Sequence, residues 1–312
     1  MEQEPEQGHL FERQHTPVIA AEYSAFLILT MQLLASLTLG SMAALLYQAL
    51  ATMVGWDGGL IYGGLHANAT MLERWQMRTF LILSHVLTFA LAGWVVVRTF
   101  YPPTSRALDY LQVRREPPTV AIWGGIWLML FSIPLALYLY QLNRALPLPD
   151  VLRQAEEQAN EVLKALLKME DAWELVANLI LIALIPAIGE ELVFRGVVQQ
   201  QIMRLVRSPW AAIVLSGAVF SLAHFQFEGF LPRLLLGVIL GWLYWRFQSL
   251  WVPVAAHFAN NAVQVVAQYL YHERVSSLNL EEDVSVPTYL AALSGALILI
   301  LAMWLNNRKN IL

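Results

Sequence analysis

The chain has 312 residues, 58% of them hydrophobic and only 13% charged, with a formal net charge of −4 and no cysteine. A soluble domain carries roughly a quarter charged residues, so this composition calls for an apolar solvent. The diffuse negative balance gives no nucleic-acid partner a basic surface, and the lack of cysteine excludes disulfides, thiol catalysis and thiolate metal sites.

The first 21 residues are polar and acidic, with Arg13 the only Lys or Arg. They lack the basic start and short apolar core of a cleavable signal, and are expected to remain attached as a disordered tail. Residues 22–312 then read as a single transmembrane domain. Eight apolar runs follow, at 25–48, 77–98, 120–142, 175–203, 209–226, 231–247, 250–271 and 287–306. Each is long enough to approach or cross a hydrocarbon core of ~30 Å as a helix. Continuous runs, rather than short alternating ones, exclude a barrel, so the fold class is an all-α polytopic bundle. The connection before the fourth run holds a further pattern. Over 151–170, Leu152, Ala155, Val162, Leu163, Leu166 and Leu167 oppose Arg153, Glu156, Glu157, Lys164 and Lys168, which predicts an amphipathic helix lying at the interface. Lys and Arg are slightly in excess on the side that holds Arg98, Arg106, Arg114, Arg115, Arg204, Arg207, Arg308 and Lys309, which places both termini in the cytoplasm.

Of the 23 Asp and Glu residues, all but Glu190 and Glu191 fall in tails, loops or helix ends. Those two lie deep in the fourth run. A charge at mid-bilayer costs about 2.5–3.5 kcal/mol on insertion scales, which makes such a residue a functional candidate facing the bundle interior. Arg195 stands one turn after Glu191 and can hold it ionised, while Glu190, about 100° away around the helix, can face a cavity. Pro186 and Gly189, just before them, loosen the helix locally. The fifth run contributes Phe220 and His224, the seventh His257 and Asn261, each pair one turn apart. His85 in the second run is read as interhelical packing or a satisfied hydrogen bond, and Gly237 with Gly241 as a close-packing face.

Three patterns therefore occur in order: Glu190-Glu191-x-x-x-Arg195, Phe220-x-x-x-His224 and His257-x-x-x-Asn261. Together they resemble the signature of the CAAX protease and bacteriocin-processing (CPBP, Abi) family of intramembrane peptidases, the type II CAAX prenyl endopeptidase-like group. The resemblance covers a family-like core over about 175–271. It implies an eight-helix bundle with a catalytic cavity inside the membrane, in agreement with the count of apolar runs. It also implies an integral membrane location, the plasma membrane in a prokaryote, and a protein or peptide substrate that is prenylated or membrane-associated. Members include bacteriocin-immunity proteins, so an inactive immunity or scaffold protein is an alternative; buried acids and histidines would also suit a proton-coupled transporter.

Peptide hydrolysis needs a nucleophile, a proton carrier and stabilisation of the oxyanion. With no cysteine and with Ser221 on a different face from His224, water is the expected nucleophile. Glu190 and His224 are expected to polarise that water, with Glu190 the general base; His257 and Asn261 are expected as oxyanion donors, Arg195 as the lock on Glu191, and Phe220 as a supporting residue. Zinc held by Glu190, His224 and His257 stays open as a cofactor, although the compact H-E-x-x-H motif is missing.

Overall fold

In the computed structural model, residues 23–66, 68–272 and 285–307 are described. The proposed tail at 1–21 and the basic pair Arg308 and Lys309 lie outside them. Among the described residues the chain is helical throughout, without strands. The long helices are α1 (Ala25–Val54), α2 (Met71–Phe100), α3 (Thr119–Arg144), α4 (Asp150–Leu167), α5 (Ala172–Val206), α6 (Pro209–Leu222), α7 (Phe230–Phe247), α8 (Trp251–His272) and α9 (Thr288–Asn307). Lipid offers no hydrogen bonds, so each crossing segment closes its own backbone ladder.

All eight apolar runs are helices, but six of these, α1, α2, α3, α5, α7 and α9, are long and apolar enough to cross a membrane. Helix α6 has 14 residues, and α8 is diluted by His257, Asn260, Asn261, Gln264 and Gln268. The expected count of eight full spans is therefore approximate, while the polytopic all-α architecture stands. Run edges also move. The fourth run begins at Ala172, where Asp171 accepts the Glu174 N–H at 2.8 Å, and α2 begins at Met71 behind a capping box of Thr70 and Glu73.

Burial separates centre from rim. Half of the apolar window of α7 is buried, against 17% for α1 and for α9. The exposed faces of α1, with Phe26, Leu33, Leu37 and Leu45, present hydrocarbon outward, as a lipid-facing helix must. One core joins α3, α6, α7, α8 and α9 through Leu128, Met129, Ile213, Leu240, Leu243, Val252 and Leu305. A second joins α1 and α2 to Tyr110, Leu111 and Val197. Helix α5 packs into both sides, with Ala187 against Tyr244 and Val254, and Phe194 beside Phe220, with Phe89 packed against them.

Two close approaches set these helix positions. A methyl on Gly237 would lie 2.9 Å from Gly217 Cα, so α6 and α7 touch backbone to backbone. One on Gly189 would lie 3.1 Å from Phe89 Cβ and 3.4 Å from the Ala90 nitrogen, so α5 lies almost directly on α2. The small residues act as the packing face that membrane helices use. Contacts of α2 with α5 rise in step along both: Arg74 with Glu174, Arg78 with Asn178, His85 with Glu190. The two helices run side by side in the same direction.

Both helices depart from regular geometry where they meet. The ladder widens to a π-type turn at Val86–Leu91 in α2, and at Leu179–Leu184 and Phe194–Gln199 in α5. Pro186 accounts for the first of the α5 turns, because it offers no N–H to the Ile182 carbonyl four residues back and its ring crowds that oxygen. The loosening expected around Pro186 is thus a defined widening.

Candidate active site

The two adjacent glutamates diverge as a 3.6-residue helix requires. Glu191 points into protein: its Oε2 accepts from Arg195 Nε at 2.8 Å and its Oε1 from His257 Nδ1 at 3.0 Å. Arg195 is fully buried, reaches Ser216 Oγ with Nη1 at 3.3 Å, and lies 5.3 Å over the Phe220 ring. Its Nη2 is buried with no hydrogen-bond partner among the described residues; the aromatic face supplies part of the missing compensation.

Glu190 faces the other way, 5% exposed, toward three imidazoles. Its Oε2 lies 4.0 Å from His224 Nε2 and 4.0 Å from His257 Nε2, and its Oε1 lies 3.5 Å from His85 Nε2. Phe220 forms the wall behind two of them, with its ring centroid 4.9 Å from that of His224 and 5.9 Å from that of His257.

The hydrogen-bond partners fix one proton on each motif imidazole. His224 Nδ1 lies 2.8 Å from the Phe220 carbonyl, which can only accept, so Nδ1 carries a proton and Nε2 is the nitrogen turned toward Glu190. Local chain geometry explains this contact. The fifth run, expected to stay helical to 226, ends at Leu222, and His224 sits in the turn that follows. Its backbone N–H goes to the Ser221 carbonyl at 3.3 Å, and the side chain takes the Phe220 carbonyl left open at the helix end. Ser221 donates to the Phe230 carbonyl at 2.8 Å and so stabilises the next helix start. For His257, Glu191 accepts from Nδ1, and Nε2 is what the ring presents to Glu190.

Asn261 sits beside this group in a different attitude from the expected one. Its Nδ2 donates to the Ile182 carbonyl at 3.1 Å, the oxygen that Pro186 leaves without its usual donor, and its Oδ1 accepts from Asn260 at 3.1 Å. One N–H of the amide is thereby committed to α5, and the other is left for chemistry. Of the sequence-predicted residues, Glu190, Glu191, Arg195, Phe220, His224 and His257 form one contiguous cluster, and Asn261 anchors α8 to α5 at its side. His85 was read as packing or as a satisfied hydrogen bond; in the structure its Nε2 turns to the Glu190 carboxylate at 3.5 Å. Its depth in the second run was the sequence signal for it.

Residues 172–263 match the family described as Type II CAAX prenyl endopeptidase Rce1-like. That segment holds all three motifs and closes the resemblance read from them. It supports a protease acting on a protein or peptide, and the apolar helices make the chain an integral membrane protein. No curated protein and no solved structure matches the chain. Carboxylate and imidazole suit zinc in kind, but among the described residues no group of three or more His, Asp or Glu is arranged to hold a metal ion.

Proposed function

We propose that the chain is an intramembrane endopeptidase in which Glu190 and His224 activate water against a peptide bond of a prenylated or otherwise membrane-associated substrate. One observation carries this reading. In its neutral form His224, with its proton on Nδ1, presents Nε2 as an acceptor, and that nitrogen faces Glu190 Oε2, a second acceptor, across 4.0 Å. Two acceptors at that separation need a donor between them, and a water ~2.8 Å from each gives one proton to either side at close to its natural angle.

From that position the water oxygen presents a lone pair away from both groups. As it bonds to the scissile carbon, Glu190 takes its proton; the C–N bond then breaks and the amine nitrogen takes that proton from Glu190. The free N–H of Asn261 and, as imidazolium, His257 donate to the oxyanion. Glu191, held by Arg195, orients the His257 ring through Nδ1 and stabilises its charged form, the role a buried carboxylate plays behind a catalytic imidazole. The basic end of the molecule, where Arg204 donates to the Tyr23 carbonyl, is the cytoplasmic end in this reading.

The test uses full-length protein in detergent and a quenched peptide ending in a farnesylated cysteine followed by three residues. Glu190→Gln is expected to lower kcat by about 10²–10⁴-fold, the usual worth of general-base catalysis, and His224→Ala similarly. Cleavage by either variant at the wild-type rate overturns the proposal.

A further inference from the structure

We infer that His85 is a positioning residue of this site, holding the Glu190 carboxylate by Oε1 so that Oε2 alone faces the water between it and His224. This rests on the reading of Glu190 as the base. Nothing in the three motifs contains His85, which lies on α2, outside the segment that matches the family.

Geometry carries the inference. The carboxylate is approached at both of its oxygens, by His85 Nε2 at Oε1 and by His224 and His257 at Oε2. A histidine that only packed helices together would find a backbone carbonyl or a neutral side chain, and bury its ring. His85 instead keeps 30% of its side chain exposed and turns its nitrogen to a carboxylate. Its reach depends on a second, independent feature. Gly189 lets the α2 backbone come to within van der Waals contact of α5, one residue before Glu190, while the π-type turn beginning at Val86 brings Phe89 and Ala90 against Gly189. The Phe89 ring, 5.5 Å from that of His85, supports the imidazole from the following turn.

The chemical consequence is directional. A carboxylate held at one oxygen cannot rotate as the other gains a proton, so the proton taken from water stays aimed at the substrate and is delivered to the leaving amine. His85 gains and loses no proton in this sequence; it donates to Oε1 throughout. Misplacement of a catalytic group by about 1 Å costs up to 10²-fold, which sets the scale of the effect.

The experiment compares His85→Phe, which keeps ring volume but has no nitrogen, with His85→Gln, which restores an N–H donor. With the farnesylated reporter, His85→Phe is expected to lower kcat by about 10- to 100-fold with KM changed less than about twofold and Tm unchanged, the pattern of a lost transition-state interaction. His85→Gln returns most of that loss. Gly189→Ala, which forces α2 away, reproduces the defect of His85→Phe. Wild-type kcat in His85→Phe overturns the inference, as do equal losses in the Phe and Gln variants. A substrate-free measurement separates it from the reading of Glu190: the nitrogen-15 resonance of His85 Nε2 shifts on Glu190→Gln and stays put in a Glu73→Gln control. No shift on Glu190→Gln refutes the contact even where Glu190 proves essential, whereas a shift with full activity in Glu190→Gln refutes the base and leaves the contact.

Discussion

Helices α2 and α5 are joined by buried charge at two levels, and the two junctions are built to different standards. At the first, Glu174 takes Arg74 at 2.9 and 3.0 Å and Arg78 at 2.6 Å; Arg78 also reaches Asn178 at 2.9 Å and the Leu166 carbonyl at 3.1 Å. Arg74, Arg78, Glu174 and Asn178 are all at most 1% exposed. At the second, Glu190 has its nearest imidazole nitrogens at 3.5 and 4.0 Å. The first junction is saturated, which is what a buried ion pair needs to avoid a desolvation loss. The second is looser, with no imidazole nitrogen closer than 3.5 Å to the carboxylate, and in the reading proposed above that separation is where the reacting water sits.

The comparison breaks most visibly through Glu174→Ala, which leaves buried Arg78 without its carboxylate and Arg74 with only the half-exposed Glu170 as a charged partner. A loss of about 3–5 kcal/mol is expected, seen as a collapse of folded yield and of the thermal transition in detergent, while Glu190→Gln keeps a wild-type Tm. Equal destabilisation by both would erase the distinction. Asn261→Leu tests the border between the two roles. The expected loss in kcat is about 10²–10³-fold, or ~2.7–4 kcal/mol of barrier; a lower Tm with kcat intact would make Asn261 only the cap of the Ile182 carbonyl. Gly217→Ala places a methyl 3.2 Å from the Val238 nitrogen and 3.3 Å from Gly237, and is expected to cost about 1–3 kcal/mol of stability by overpacking. Gly63→Ala, which meets nothing within 4 Å, serves as its neutral control.

The smallest effect concerns α4. Glu156 is 4% exposed and accepts the Glu228 N–H at 2.8 Å. Burial pushes its pKa above the ordinary carboxylate value, the Glu228 hydrogen bond opposes this, the Glu228 charge adds to it and Arg233 on α7 subtracts from it. Nearby, Tyr140 and Arg144 of α3 both face Glu228. A raised pKa means the folded state holds this proton more tightly than the unfolded chain. The stabilisation is complete below the ordinary value and is lost as pH rises through the folded one. Relative to Glu156→Gln, the wild type therefore loses Tm as pH rises above the ordinary carboxylate value; a gap that stays constant would show that the carboxylate titrates normally.

Much of the architecture was readable in advance because lipid leaves the backbone no alternative to helices, and because Glu190, Glu191 and the two motif histidines are expensive at depth. What escaped was set by contacts far apart in sequence. Arg74 and Glu174 are 100 residues apart, and a run boundary placed at 175 put Glu174 just outside the membrane helix that contains it. His85 gained a role only through the approach of two helices at Gly189. Helix α6 stops at Leu222 because the His224 side chain replaces a backbone donor, a substitution that apolar patterning cannot register. The widened turn at Val86–Leu91 has no proline or glycine to announce it.

The brevity of α6 bears on how that helix is carried in the bilayer. Fourteen residues rise only ~21 Å at 1.5 Å each, well short of a hydrocarbon slab of ~30 Å. A helix this short cannot meet both faces of the slab by itself, and α6 is seated instead on its longer neighbour, backbone to backbone at Gly217 and Gly237.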